Sequence, residues 1–163
     1  MAGVLSRASR LLRARQFRQV VRLLEPEVFR YRQSFRYFYL LGVATLYAGD
    51  LGGAASYLER ARAIEEREEV LVGLAAVQLG KGRKDDCLKA WLEIIDRWPR
   101  NRQARRGLKL LRRGEEPGEL AGSERVMRSL YPPLPRRVAP FLGSLAALLL
   151  AAAAAVVAAR ALA

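Results

Sequence analysis

The chain is 163 residues long and carries 29 lysines and arginines against 16 aspartates and glutamates, a formal net charge of +13. It has no histidine and one cysteine, Cys87, which excludes a histidine acid or base, a thiolate metal cluster and an internal disulfide. Arginines make up 25 of the 29 cations, and a charge of this size favours nucleic acid, anionic lipid or acidic protein without choosing between them.

Residues 36–113 hold no proline except Pro99, and β-branched residues are few, so the composition is that of an all-α fold. The first stretch, residues 1–24, has six arginines, two serines and no acid. Two readings fit it: a mitochondrial transit peptide, or a first helical hairpin. The hairpin is preferred because Phe17, Val20, Val21 and Leu24 fall on columns that recur later, which a cleaved peptide has no reason to respect.

Those columns run through the next two stretches. Ala8, Gly42 and Ala75 lie 34 and 33 residues apart; twelve residues after each come Val20, Ala54 and Cys87, and four further on Leu24, Leu58 and Trp91. Turn signals, "AGDLGG" at 48–53 and "GKGRKDD" at 80–86, split the period into two helices. Pro99 closes the third unit, and "NRQARRGLKLLRRG" then reads as a final helix, 101–113, ended by Gly114.

This spacing resembles the tetratricopeptide repeat (TPR), most clearly in "FYLLGVATLYAGDLGGAASYLERARAI" and "LVGLAAVQLGKGRKDDCLKAWLEIIDRWP". The resemblance implies an all-α, TPR-type α-solenoid of about three hairpins, 1–34, 35–67 and 68–101, with 101–113 as cap. It departs from the pattern in the first unit, at Arg7, Glu27 and Arg32. It also implies that the first helix of each unit lines a partner groove, formed by Arg36, Tyr39, Val43, Leu46 and Tyr47 with Val72 and Leu79. Leu5, Ser9, Leu12 and Arg13 of the first unit, and Glu69, Ala76 and Gly80 of the third, stand beside them. Such a groove suits an apolar or amphipathic peptide or helix. The alternative is that these residues are packed core, or covered by the protein's own terminus.

Arg97, Arg100, Arg102, Arg105, Arg106, Lys109, Arg112 and Arg113 form a run without an acid, the last six being the candidate contacts for an anionic surface. It reads as an anionic-lipid contact or as a solvated helix face. Nucleic acid is not expected, for want of a motif or interleaved aromatics. Residues 114–137 read as a linker, with a helix possible over Leu120–Leu130 and "YPPLP" as a polyproline spacer before the bilayer.

From Val138 to Ala159 there are 22 uncharged residues, Ser144 being the one polar side chain. As a helix they span about 33 Å, the thickness of a bilayer core. Against this stands a buried alanine-rich helix, since ten of the 22 are alanine. The expectation is a single-pass tail anchor over 138–159. Arg136 and Arg137 before it hold the N-terminal domain on the cytoplasmic side. Ala139, Gly143, Ala147, Ala151, Ala155 and Ala159 make a small-residue stripe compatible with a homo-oligomer. The architecture loosely resembles the tail-anchored fission adaptors of the mitochondrial outer membrane; a bacterial inner-membrane repeat protein fits equally.

No constellation supports catalysis, a metal or a cofactor: Asp85 and Asp86 suit a helix start, and Cys87 sits in a packing column. The function expected is a membrane-tethered adaptor or scaffold that recruits partner proteins. The alternatives are a structural subunit of a larger membrane complex, and a basic soluble protein binding nucleic acid or anionic lipid.

Overall fold

The computed structural model describes residues 3–134. Among them the fold is all-helical, without a strand: α1 (Gly3–Arg13), α2 (Phe17–Leu24), α3 (Phe35–Ala48), α4 (Leu51–Ile64), α5 (Glu68–Gly80), α6 (Lys84–Arg97), α7 (Arg102–Arg112), α8 (Pro117–Gly122) and α9 (Glu124–Leu130).

Local chemistry sets the boundaries. Ser34, Asp50 and Asn101 each accept a hydrogen bond from the backbone N–H three residues on, at 3.3, 2.9 and 2.7 Å, and so begin α3, α4 and α7. Gly49 ends α3 at φ 92°, and Gly82 turns the chain between α5 and α6 at φ 69°. In the first hairpin the same left-handed position is held by Arg15, at φ 59°. Arg15, Gly49 and Gly82 are 34 and 33 residues apart, the period of the packing columns.

Consecutive helices pack in pairs, α1 on α2, α3 on α4, α5 on α6, and α7 continues the series against α6. Neighbouring pairs meet through α2–α3 and α4–α5, while α1, α3 and α5 touch along one face. Ala8, Gly42 and Ala75 are buried, as are Val20, Ala54, Cys87, Leu24, Leu58 and Trp91. The small residues set the separation between helices. A Cβ on Gly42 would stand 2.8 Å from Leu58 Cγ, and one on Gly107 2.5 Å from the Trp91 ring. Gly73, too, faces Leu58, so Leu58 touches both its own hairpin and the next. Pro99 is exposed and shapes the turn after α6 rather than packing.

The first hairpin is cut short. Its second helix has 8 residues, against 14 in α4 and in α6. Pro26 is the cause: it cannot donate to the carbonyl four residues back, and its ring crowds the preceding turn. The chain tightens into a 3₁₀ turn, Glu25–Glu27, in which the Val28 N–H bonds to Glu25 O rather than to Leu24 O. The Leu24 carbonyl so freed accepts a 2.7 Å bond from the buried Tyr37 hydroxyl. Residues 3–24 are thus built into the core, with Ala8, Leu12, Val20 and Leu24 inside it.

Over its described part the region read as a linker, 114–137, holds helix where one was read as possible, over Leu120–Leu130, but as two short helices packed on the repeats. Gly114, at φ 81°, reverses the chain after α7. The chain then forms α8 and α9, and these pack on α5 and α7. Leu120, Leu130 and Tyr131 are buried at 2, 1 and 3% exposure. The physical reason is that three large apolar side chains find cover against the repeat face rather than remain in water. Among the described residues no helix is long and apolar enough to cross a membrane. The apolar segment 138–159, its small-residue stripe and Arg136 and Arg137 lie outside the described residues.

Candidate functional site

The face made by α1, α3 and α5 carries a strap of the protein's own chain. After α9, residues Tyr131–Leu134 leave the helix without regular secondary structure and lie against this face. The Tyr47 hydroxyl donates to the Pro132 carbonyl oxygen at 2.9 Å. The Tyr47 ring stacks on Phe17, centroids 4.9 Å apart, and meets Tyr131 edge-on at 5.3 Å. Pro132 lies beside Gly73, where an added Cβ would come to 3.4 Å from its Cγ. Burial pushes the Tyr47 hydroxyl up to about 12, with Arg15 opposing the shift, and burial raises Tyr131 too. The Tyr47 phenol is therefore a neutral donor at physiological pH.

Beside the strap two cavities stay open. The larger, about 470 Å³, is lined by Leu12, Phe35, Arg36, Tyr39, Val43 and Pro133 among others. Its floor is aromatic: Phe35 and Tyr39 stack at 5.8 Å. Its rim is charged, with Arg36 donating to Ser9 Oγ at 3.2 Å and the Arg67 guanidinium 4.3 Å above the Phe35 ring. Arg67 also pairs with Glu65 and Glu69, at 2.6 and 3.8 Å. The smaller cavity, about 240 Å³, lies between Pro133, Val72, Glu69 and Asn101.

The candidate groove residues thus divide. Arg36, Tyr39 and Val43 line the larger cavity, Val72 the smaller, and Tyr47 lies under the strap. Leu46 and Leu79 are fully buried in the core. Sequence reading missed Tyr131, Pro132 and Gly73 as parts of this face. The available signal was the pair Leu130–Tyr131, apolar residues stranded in a polar stretch.

The six cations of the anionic-surface run are all exposed. Their positions on α7 and just beyond it recur every three or four residues, so they form one stripe opposite the buried Ala104 and Gly107. Among the described residues none of the six makes an ion pair with a carboxylate. Arg97, first in the basic run read from the sequence, belongs elsewhere: it pairs with Glu66 and, at 3.2 Å, with Glu93, while Arg62 bridges the same two acids at 3.1 Å each. That network ties α4 to α6.

Cys87 is buried, its thiol pushed up to about 12 by desolvation and secondarily by Asp86, so it packs as a small apolar residue. Among the described residues no group of three or more potential ligands gathers for a metal ion. No protein-family model matches the chain, and no curated protein and no solved structure shows significant similarity to it.

Proposed function

We propose that the chain is a membrane-tethered adaptor of the tetratricopeptide type. In this reading residues 1–113 form a short α-solenoid of three units and a cap. Its α1–α3–α5 face gathers a segment of a partner protein, and residues 138–159 hold it at a bilayer. The observation that carries the reading is that this face already receives a non-helical stretch of polypeptide, Tyr131–Pro133, at Tyr47. Its shape and polarity therefore suit a peptide. The 34- and 33-residue period, recurring in buried columns and in a left-handed turn, supports the repeat assignment. The tether rests on the length and apolarity of 138–159. The α7 stripe, about 25 residues before that segment, suits anionic headgroups at roughly 1 kcal/mol per cation near the surface. The chain works by binding, with no catalytic or cofactor role.

Two measurements test this on the full-length chain. Alkaline extraction of membranes should leave it in the pellet; recovery in the supernatant removes the tether. A photoreactive group at Tyr39 should form an adduct with a protein at the membrane; labelled chain without any adduct removes the adaptor role. A second reading, a permanent structural subunit, draws support from Phe29, Leu92 and Leu88, exposed at 81, 50 and 40%, since a fixed complex would cover such side chains. A monodisperse monomer of the full chain in detergent favours the adaptor, and aggregation relieved only by a co-expressed partner favours the subunit.

A further inference from the structure

The strap is held by contacts that would serve a foreign segment equally well. Pro132 and Pro133 have no N–H, so laying them on an apolar face buries no unpaired donor. The Tyr47 bond is to a backbone carbonyl at 2.9 Å, a contact any residue can make in that register. Two features read side-chain identity. Tyr131 fits edge-on against Tyr47 at 5.3 Å, which suits an aromatic ring. Pro132 comes to ordinary van der Waals distance of the Gly73 position, where an added Cβ would stand 3.4 Å from its ring, which suits a flat apolar ring. The strap covers only the middle of the face: Pro133 is exposed and lines both open cavities. A longer segment has contacts to gain on either side, over Phe35 and Tyr39 and over Val72.

We propose that residues 131–134 are a built-in competitor, and that the face beneath them takes from a partner protein a segment in which an aromatic residue is followed by two prolines. This rests on the reading of the α1–α3–α5 face as a partner site. The strap is tethered through α9, so its effective concentration at the face is of millimolar order. A partner segment must therefore displace it, and binding and strap release are one event.

The test uses the full-length chain in mild detergent and a fluorescein-labelled peptide, SLYPPLP, read by anisotropy. The double variant Pro132→Gly, Pro133→Gly loosens the strap without altering the buried Leu130 or Tyr131. It should bind the peptide at least about tenfold more tightly than the unaltered chain, as expected when a tethered competitor is removed. Adding Tyr47→Phe should weaken that binding about fivefold, the worth of one hydrogen bond. A peptide with alanine in place of tyrosine should bind at least as weakly. In the unaltered chain, saturating peptide should speed amide exchange at Leu130, Tyr131 and Leu134, a readout independent of the variants' folding.

Equal affinity for the unaltered and strap-loosened chains, or indifference to Tyr47→Phe, overturns the proposal. So does a concentration-dependent dimer of the unaltered chain that Tyr47→Phe disperses, which would assign the occupant to a second copy. If the peptide fails while Tyr39 still crosslinks to a protein, the competitor falls and the adaptor stands; if both fail, the partner face itself falls.

Discussion

In the second hairpin Gly42 brings α3 against Leu58, Gly49 supplies the left-handed turn, and α4 runs its full 14 residues. In the first, Ala8 replaces the glycine, Arg15 takes the turn at φ 59°, and Pro26 stops α2 after 8 residues. The same columns are buried in both. What differs is how each covers its exposed backbone. The second hairpin uses its own caps; the first leaves the Leu24 carbonyl open and borrows the Tyr37 hydroxyl from the next helix. The lesson is that a repeat position is defined by what it packs against. A departure in residue type is tolerated where a neighbour can complete the geometry.

The comparison is broken hardest at Leu58. Because it fills the space before both Gly42 and Gly73, Leu58→Ala should cost about 3–5 kcal/mol, at the upper end for a buried leucine. Leu24→Ala, in the truncated hairpin, should cost less. Urea denaturation of both variants checks the ranking, and equal costs would show the hairpins to be equivalent. Gly42→Ala comes next: the new methyl would stand 2.8 Å from Leu58 Cγ, and overpacking of this kind costs about 1–3 kcal/mol. The reverse change at the matching position, Ala8→Gly, should cost only about 1 kcal/mol, through backbone entropy.

Tyr37→Phe sharpens the contrast by orphaning the Leu24 carbonyl, at about 1–2 kcal/mol. It also has a pH signature. Desolvation, followed by the charges of Tyr57, Glu25 and Glu27, raises the Tyr37 hydroxyl from 10 to about 12. The unfolded chain therefore releases this proton at lower pH than the folded one. Stability should hold its plateau below pH 10 and fall as the pH climbs from 10 to 12. Tyr47 is raised in the same sense, so Tyr37→Phe should remove only part of the alkaline loss seen between urea midpoints at pH 8 and pH 11.5. The smallest effect is a gain. Arg15→Gly relieves a left-handed non-glycine residue and should stabilise by about 1 kcal/mol or less, read as a small rise in Tm. A loss would mean that the Arg15 side chain contributes more than its backbone costs.

Much of the scaffold was legible because its causes are local. Ser34, Asp50 and Asn101 begin helices by bonding to N–H groups three residues away. The period could be read from Ala8, Gly42 and Ala75, since close helix contacts admit only small side chains at that spacing. The candidate site was legible only in part. In α3 every residue from Leu40 to Leu46 is buried, and α5 is buried almost as fully. A helix covered on nearly all sides has no polar face to mark which apolar residues line a groove and which are core. For that reason Tyr39 and Val43 could not be told apart from Leu46 and Leu79.

Sequence alone determined the all-helical character of the described span, the hairpin period and the concentration of cations on α7, because propensity, capping and periodicity act within a few residues. Tertiary structure alone decided three things. Arg97 leaves the basic run for Glu66 and Glu93, Tyr37 closes the gap that Pro26 opens, and Tyr131–Pro133 covers the face between α3 and α5. Each joins groups far apart in the chain. Such partners are chosen by desolvation and by backbone groups left open when helices stack, and neither is visible until the stack exists.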